Sequence, residues 1–162
     1  MNFAPLSALP KGALKVLYEI GRHLLRRPVV GIVMAAHTRD GRWLLVRRAD
    51  TGTWALPGGT LEWGETLSST MVRELEEETG VTNPVFERVV GVFSRPDRDI
   101  RFHAVNVLVR CEVEPPTKTN LNPLEIREIG FFREDEVPRP LAMGLTELFD
   151  LARAPETAAI LE

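Results

Sequence analysis

The segment from Gly59 to Val81 constrains this chain more than any other part of its sequence. Its 23 residues carry a net charge of −5, in a chain whose formal net charge is −3. Like charges at this density repel one another, so the crowding is unfavourable without a cation nearby. The charged side chains are Glu62, Glu65, Glu74, Glu76, Glu77, Glu78 and the single base Arg73.

A helix is predicted from about Leu67 to Thr79 inside this segment. Thr66 is a residue type that caps helix starts, because its hydroxyl accepts a hydrogen bond from a free backbone N–H. Gly80 is the residue type that ends helices in the left-handed conformation. The helix is therefore predicted to be bounded by its own local sequence.

The acids of this helix are not spread evenly around its axis. At about 100° per residue, Glu74, Glu77 and Glu78 share an arc of about 100°, whereas Glu76 points away. Glu74 and Glu78 form an i,i+4 pair of like charges, which costs roughly 0.2–0.5 kcal/mol when exposed. Arg73 stands i,i+4 to Glu77 and is predicted to orient it.

A divalent cation is one explanation of these carboxylates, and a solvated acidic helix face is the other. Oxygen-only ligands favour Mg²⁺ or Mn²⁺ over zinc. The glycine turn Pro57-Gly58-Gly59 precedes the acids and leaves the backbone free to approach a ligand. This turn favours the cation, because a carbonyl oxygen there can serve as a further ligand.

At these residues the chain resembles the Nudix box, G-x5-E-x7-R-E-U-x-E-E-x-G-U, in which U is a bulky apolar residue. The likeness extends over about 29–151 and includes Trp54-Ala-Leu-Pro57 before the box. Its nine specified positions are filled by Gly59, Glu65, Arg73, Glu74, Leu75, Glu77, Glu78, Gly80 and Val81.

The resemblance implies an α/β fold: a Nudix α/β/α sandwich with a mixed β-sheet and a loop–helix–loop catalytic box. It also implies Mg²⁺-dependent hydrolysis (Mn²⁺ is possible) of a diphosphate bond in a small-molecule nucleotide. Residues 29–162 would form the Nudix hydrolase domain, and residues 1–28 a helical arm that packs or dimerises.

The resemblance further implies roles for single residues. The metal ligands would be the Gly58 carbonyl with Glu74, Glu77 and Glu78. Glu74 is alternatively the base that activates water, Glu65 holds Arg73 or ligates metal through water, and Arg73 orients. In this family the base also comes from loops outside the box. Glu125 is the stronger candidate there and Glu128 the weaker, and each is alternatively an ordinary surface glutamate.

The substrate is predicted from outside the box. Pro96 stands sixteen positions after Gly80, as in members acting on ADP-ribose. Nearby arginines present planar donor forks to phosphates or ribose hydroxyls, unless they belong to a solvated hairpin loop. These candidates are Arg95, Arg98 and Arg101, with Arg47 as a weaker one.

ADP-ribose or another nucleoside diphosphate sugar is the expected substrate class. The alternatives are nucleoside triphosphates, including oxidised ones, then RNA ends or dinucleoside polyphosphates, and lastly a non-catalytic nucleotide sensor. The tryptophans Trp43, Trp54 and Trp63 either stack on a base or pack in the core.

The rest of the sequence bounds partners and compartment. Residues 1–28 hold five Lys or Arg against Glu19 and show helical apolar spacing between Pro10 and Arg27. The overall acidity argues against a nucleic-acid partner, and no apolar run is long enough to cross a membrane. One cysteine, Cys111, and the absence of a signal-peptide pattern predict a cytoplasmic protein, expected to be a homodimer.

Overall fold

The computed structural model describes residues 11–25, 27–98, 103–118, 122–155 and 158–162. Three α-helices and eight strands make up its regular structure. These are α1 (Lys11–Leu25), β1 (Val29–His37), β2 (Trp43–Arg48), β3 (Trp54–Ala55), β4 (Gly58–Thr60), α2 (Leu67–Thr79), β5 (Val85–Phe93), β6 (Ala104–Glu112), β7 (Ile126–Phe132), α3 (Leu145–Arg153) and β8 (Ile160–Leu161). Short 3₁₀ helices cover Glu134–Glu136 and Ala142–Gly144.

One mixed sheet contains all eight strands, in the order β3-β2-β1-β6-β5-β8, with β4 also paired to β1 and β7 to β2. The central strand β1 runs parallel to β6 and antiparallel to β2 and β4. Seven consecutive residues of β1 are buried, because both faces of the sheet are covered there. The β-branched and small apolar sequence of this strand is typical of such a position.

A hydrophobic core lies on each face of the sheet. The core on one side packs α2 through Met71 and Leu75. The core on the other side packs α3 through Leu148 and Phe149. Helices on both faces of a mixed sheet form the predicted α/β/α sandwich, and the fold prediction is confirmed.

The helix α2 has the predicted bounds. The Thr66 hydroxyl accepts from the Ser69 backbone N–H at 3.2 Å, and the Ser69 hydroxyl accepts from the Thr66 N–H at 2.9 Å. Gly80 ends the helix at φ 82° and donates to the Glu76 carbonyl. Local capping therefore fixes the part of the helix on which the box acids lie.

The structure shortens the C-terminal helix that the sequence predicts over 139–154. Its first part is a turn and a 3₁₀ helix, and α3 begins only at Leu145. Met143 and Gly144 adopt φ values of 53° and 69°, which break the right-handed helical path. The short strands β3, β4 and β8 were not predicted, and α1, over Lys11–Leu25, lies within the range 10–27 whose apolar spacing predicts a helix.

Cys111 is fully buried in the core on the α2 side. Burial raises the pKa of its thiol to about 12, so the thiol stays protonated and acts as a small apolar core residue. Within the described ranges, no helix is long and apolar enough to cross a membrane.

Candidate active site

A cavity of about 530 Å³ opens where β4, α2, β6 and α3 approach one another. Its lining includes both carboxylates and apolar side chains from the α3 core. Its polar lining includes Gly58, Gly59, Glu74, Glu78, Glu125, Arg48, Asp50, Asn106 and Arg98.

The glycine turn is part of the sheet, because β4 pairs with β1. The Met34 N–H donates to the Pro57 carbonyl at 2.9 Å, and Gly59 stands opposite Ile32. In an antiparallel pair, alternate residues turn their backbone groups toward the partner strand, so those of Gly58 point away from β1. The Gly58 N–H accordingly reaches α2, where it donates to the Glu78 carboxylate at 2.9 Å.

Gly59 in β4 and the side chain of Glu74 in α2 are in close contact. A Cβ on Gly59 would lie 2.0 Å from a carboxylate oxygen of Glu74. No side chain fits there unless Glu74 moves. Glycine at position 59 therefore allows the carboxylate of α2 to lie directly on the turn.

Glu78 is the most perturbed acid of the site. Burial raises the pKa of its carboxyl to about 8, despite the Gly58 hydrogen bond, and the charges of Glu74 and Glu125 raise it further. The pKa of Glu74 is also raised, mainly by burial. Buried carboxyl groups with raised pKa values that lie beside one another are typical of functional sites.

Arg73 is the one base of the segment and binds several acids at once. Its Nε and Nη2 donate to the two Glu65 oxygens at 2.7 and 3.0 Å. Its Nη1 donates to Glu74 at 2.9 Å and to Glu77 at 3.2 Å. The Arg73 hydrogen bonds lower the pKa of Glu65 to about 2, so Glu65 stays charged and anchors the fork.

The three acids predicted as metal ligands are not equally placed. Glu74 and Glu78 line the cavity, whereas the Glu77 side chain is 60% exposed and is not among the lining residues. In the described part of the chain, no three His, Cys, Asp or Glu side chains form a ready ligand group. The oxygen donors present, two carboxylates and the outward-facing Gly58 backbone, nevertheless fit a hard cation such as Mg²⁺ or Mn²⁺.

The arginines of β2 take different positions. Arg47 donates to the Gly52 carbonyl at 3.0 Å and pairs with Glu128, and neither Arg47 nor Glu128 lines the cavity. Arg48, which sequence reasoning missed, lines the cavity and pairs with Asp50 at 2.6 Å. A register shift between positions 47 and 48 changes the direction of the chain there.

The arginines after β5 are also unequal. Arg98 lines the cavity with only 6% of its side chain exposed, bound to Glu162 at 2.5 Å and to Glu147 at 3.2 Å. Arg95 and Pro96 are exposed and do not line it. Arg101, also predicted to bind substrate, lies outside the described residues.

Glu125 is exposed at the cavity rim, just before β7. Its backbone carbonyl accepts from the Ala49 N–H at 2.7 Å, which ties this loop to the loop after β2. The charge of Glu125 acts on the Glu78 carboxyl, so the rim carboxylate lies within electrostatic range of the buried one.

The tryptophans do not line the cavity. Trp43 is buried against Phe149, and Trp54 stacks edge-on against Phe132. Trp63 is fully exposed. For Trp43 and Trp54 the structure agrees with packing rather than with stacking on a base.

Comparison with known proteins places these observations in a family. The family model for the NUDIX domain matches residues 25–152. An ADP-ribose pyrophosphatase of Methanocaldococcus jannaschii is 41% identical over 78 residues, which cover 46% of this chain and 46% of the relative. A MutT-like protein of Streptomyces ambofaciens is 38% identical over 114 residues, which cover 70% of this chain and 68% of the relative. The match thus spans less than half of the archaeal relative.

The chain is also similar to solved structures. A MutT NUDIX hydrolase from Burkholderia pseudomallei is 29% identical, with a TM-score of 0.66, and the match covers 80% of this chain and all of that one. An ADP-ribose pyrophosphatase from Streptococcus suis is 25% identical, with a TM-score of 0.69, and the match covers 84% of this chain and all of that one.

Proposed function

Because the chain belongs to the NUDIX family, we propose that it hydrolyses the diphosphate bond of a nucleoside diphosphate linked to another moiety, with Mg²⁺. The single observation that carries the proposal is the pairing of Glu78 with the Gly58 N–H, beside Glu74. The hydrogen bond places the Glu78 carboxylate and the Gly58 peptide group together, beside the Glu74 carboxylate, in the lining of the cavity.

The residues of the site would have different roles in the reaction. Glu74, Glu78 and the Gly58 carbonyl would hold the cation, with Glu77 completing the set after rotation of its exposed side chain. The bound cation would offset the charge of the diphosphate and acidify water. Glu65 and Arg73 hold the ligands in orientation. Glu125 at the rim would accept the proton of the attacking water, and Glu74 is the other candidate for this step.

We propose ADP-ribose or another nucleoside diphosphate sugar as the substrate. Two of the similar proteins are named as ADP-ribose pyrophosphatases. The cavity supports this assignment, because Arg98 and Asn106 provide polar contacts beside apolar walls from Leu145 and Leu148. A cavity of this composition suits a sugar and a base beyond the diphosphate.

A substrate panel with Mg²⁺ tests the proposal. Release of AMP from ADP-ribose, abolished by a chelator and restored by Mg²⁺, is the expected result. Release of pyrophosphate from nucleoside triphosphates, with ADP-ribose untouched, would assign the triphosphate activity instead. No product from any nucleotide would indicate a binding protein.

We further propose that α1 dimerises the protein, and that the protein works in the cytoplasm. Within α1, the apolar side chains of Val16, Leu17, Tyr18 and Ile20 are about half exposed or more. The arm is also basic, while the rest of the chain is acidic. Removing residues 1–28 is expected to shift a sizing-column profile from dimer to monomer, and an unchanged profile would contradict the dimer role.

A further inference from the structure

Asn106 is a polar side chain beside apolar core residues of β5 and β6. It lies in β6, on the face that packs against α3, with the fully buried Leu108 two residues further on. Its neighbour on β5 is Phe93, which is also buried. A carboxamide at such a position loses hydrogen bonds to water and needs other partners.

The side-chain amide of Asn106 forms no hydrogen bond with any of the described residues. The amide instead faces the cavity, which it lines together with Gly31 and Gly59. An amide half withdrawn from water and facing a cavity is a candidate for contact with a ligand.

Gly31 makes this position of the amide possible. Gly31 stands beside Asn106 in the parallel pair of β1 and β6. A Cβ on Gly31 would lie 2.9 Å from the Asn106 Oδ1 and 2.9 Å from the Gly59 carbonyl oxygen. The amide and the Gly59 backbone therefore converge on the same point, so Asn106 is a near neighbour of the turn that the Glu74 carboxylate contacts.

This position selects the part of the substrate that Asn106 meets. On the proposed function, the diphosphate lies at the carboxylates and the turn. The next group along the substrate is a sugar. A carboxamide both donates and accepts, which matches a sugar hydroxyl, whereas a phosphate oxygen only accepts.

We propose that Asn106 is a specificity-determining residue that hydrogen-bonds a hydroxyl of the sugar next to the diphosphate. The inference rests on the proposed function for the placement of the diphosphate. It gives β6 a role in recognising the sugar of the substrate, which neither the Nudix box nor the arginines have.

Calorimetric binding without divalent metal tests the inference independently of turnover. The ligands are ADP-ribose, two analogues that lack the 2-hydroxyl on one ribose or on the other, and inorganic pyrophosphate. The wild-type protein is expected to bind one analogue about tenfold more weakly than ADP-ribose. Asn106→Leu is expected to bind ADP-ribose about tenfold more weakly than the wild type does. This variant should bind that analogue as tightly as it binds ADP-ribose. Its affinity for pyrophosphate should equal that of the wild type.

Two further variants control the comparison. Asn106→Thr keeps a donor and an acceptor in a residue that suits a strand, so it is expected to recover part of the discrimination and folds even if the leucine variant does not. Asn83→Leu, at an exposed position away from the cavity, is expected to bind like the wild type.

The outcomes separate this inference from the proposed function. Wild-type affinity in Asn106→Leu, or an equal loss for pyrophosphate and ADP-ribose, would overturn the sugar contact even if hydrolysis is normal. Discrimination that depends on Asn106, in a protein that releases no AMP, would support the contact and contradict the proposed hydrolysis.

Discussion

Arg73 holds the Glu65 carboxylate through both of its oxygens and reaches Glu74 with its remaining donor nitrogen. The fork therefore links the loop before α2 to the carboxylate that lies on Gly59. A lysine at position 73 has one point charge and cannot make these contacts together.

Arg73→Lys is expected to lower kcat about 10- to 100-fold, the usual cost of losing a group that orients a metal ligand. The reason is that Glu74 and Glu77 would lose the Arg73 guanidinium, which donates hydrogen bonds to both of them. Steady-state kinetics at saturating Mg²⁺ measure the effect. Arg39→Lys is the matched control, because Arg39 pairs with Glu112, away from the cavity. Equal activity of the two variants would remove the orienting role.

Glu78→Gln is expected to lower turnover by about two orders of magnitude or more, because an amide is a poor ligand for a hard cation. Its fold should be intact, since the Gln oxygen can still accept from the Gly58 N–H. Glu76→Gln on the exposed side of α2 should keep normal turnover. Near-normal activity of Glu78→Gln would exclude Glu78 as a ligand.

The same variant should change how stability depends on pH in the metal-free protein. The folded-state pKa of Glu78 is raised from 4.5 to about 8, so between these values the folded form holds a proton that the unfolded form has lost. Stability from this group therefore falls as pH rises through that interval. Thermal melts from about pH 5 to about pH 8 should show the wild type losing stability relative to Glu78→Gln, and Mg²⁺ should restore the wild type most at the higher pH. Parallel curves would contradict the shift.

Gly59→Ala should lower kcat about 100-fold, because the new methyl group displaces the Glu74 carboxylate by an ångström or more. Gly12→Ala meets no neighbouring atom within 4 Å and should leave kinetics unchanged. If Gly59→Ala retains full activity, Glu74 does not need to lie on the turn.

Arg98→Ala should raise KM about tenfold, since a charged hydrogen bond contributes roughly 1.5–3 kcal/mol. Arg98 lines the cavity, whereas Arg95 is half exposed and lies outside its lining. Arg95→Ala should therefore change KM by less than about twofold. Melting temperatures of both variants separate binding from stability, and equal KM values would place Arg98 outside the substrate site.

The sequence predicted the parts of the structure that local chemistry determines. α2 has the predicted bounds because Thr66 and Gly80 cap it. The sequence did not predict which of Arg47 and Arg48 reaches the cavity, because a register shift against β7 decides it. Asn106 was also missed, although a lone amide inside an apolar strand was the available signal.

The pairing of Gly58 with Glu78 spans only 20 positions of sequence. A connection so short closes with little loss of chain entropy. The groups that distinguish one substrate from another come instead from β6, the loop after β5 and the loop before β7, far along the chain. A loop–helix–loop unit transplanted into another scaffold would therefore carry the cation site with it and leave the choice of substrate behind.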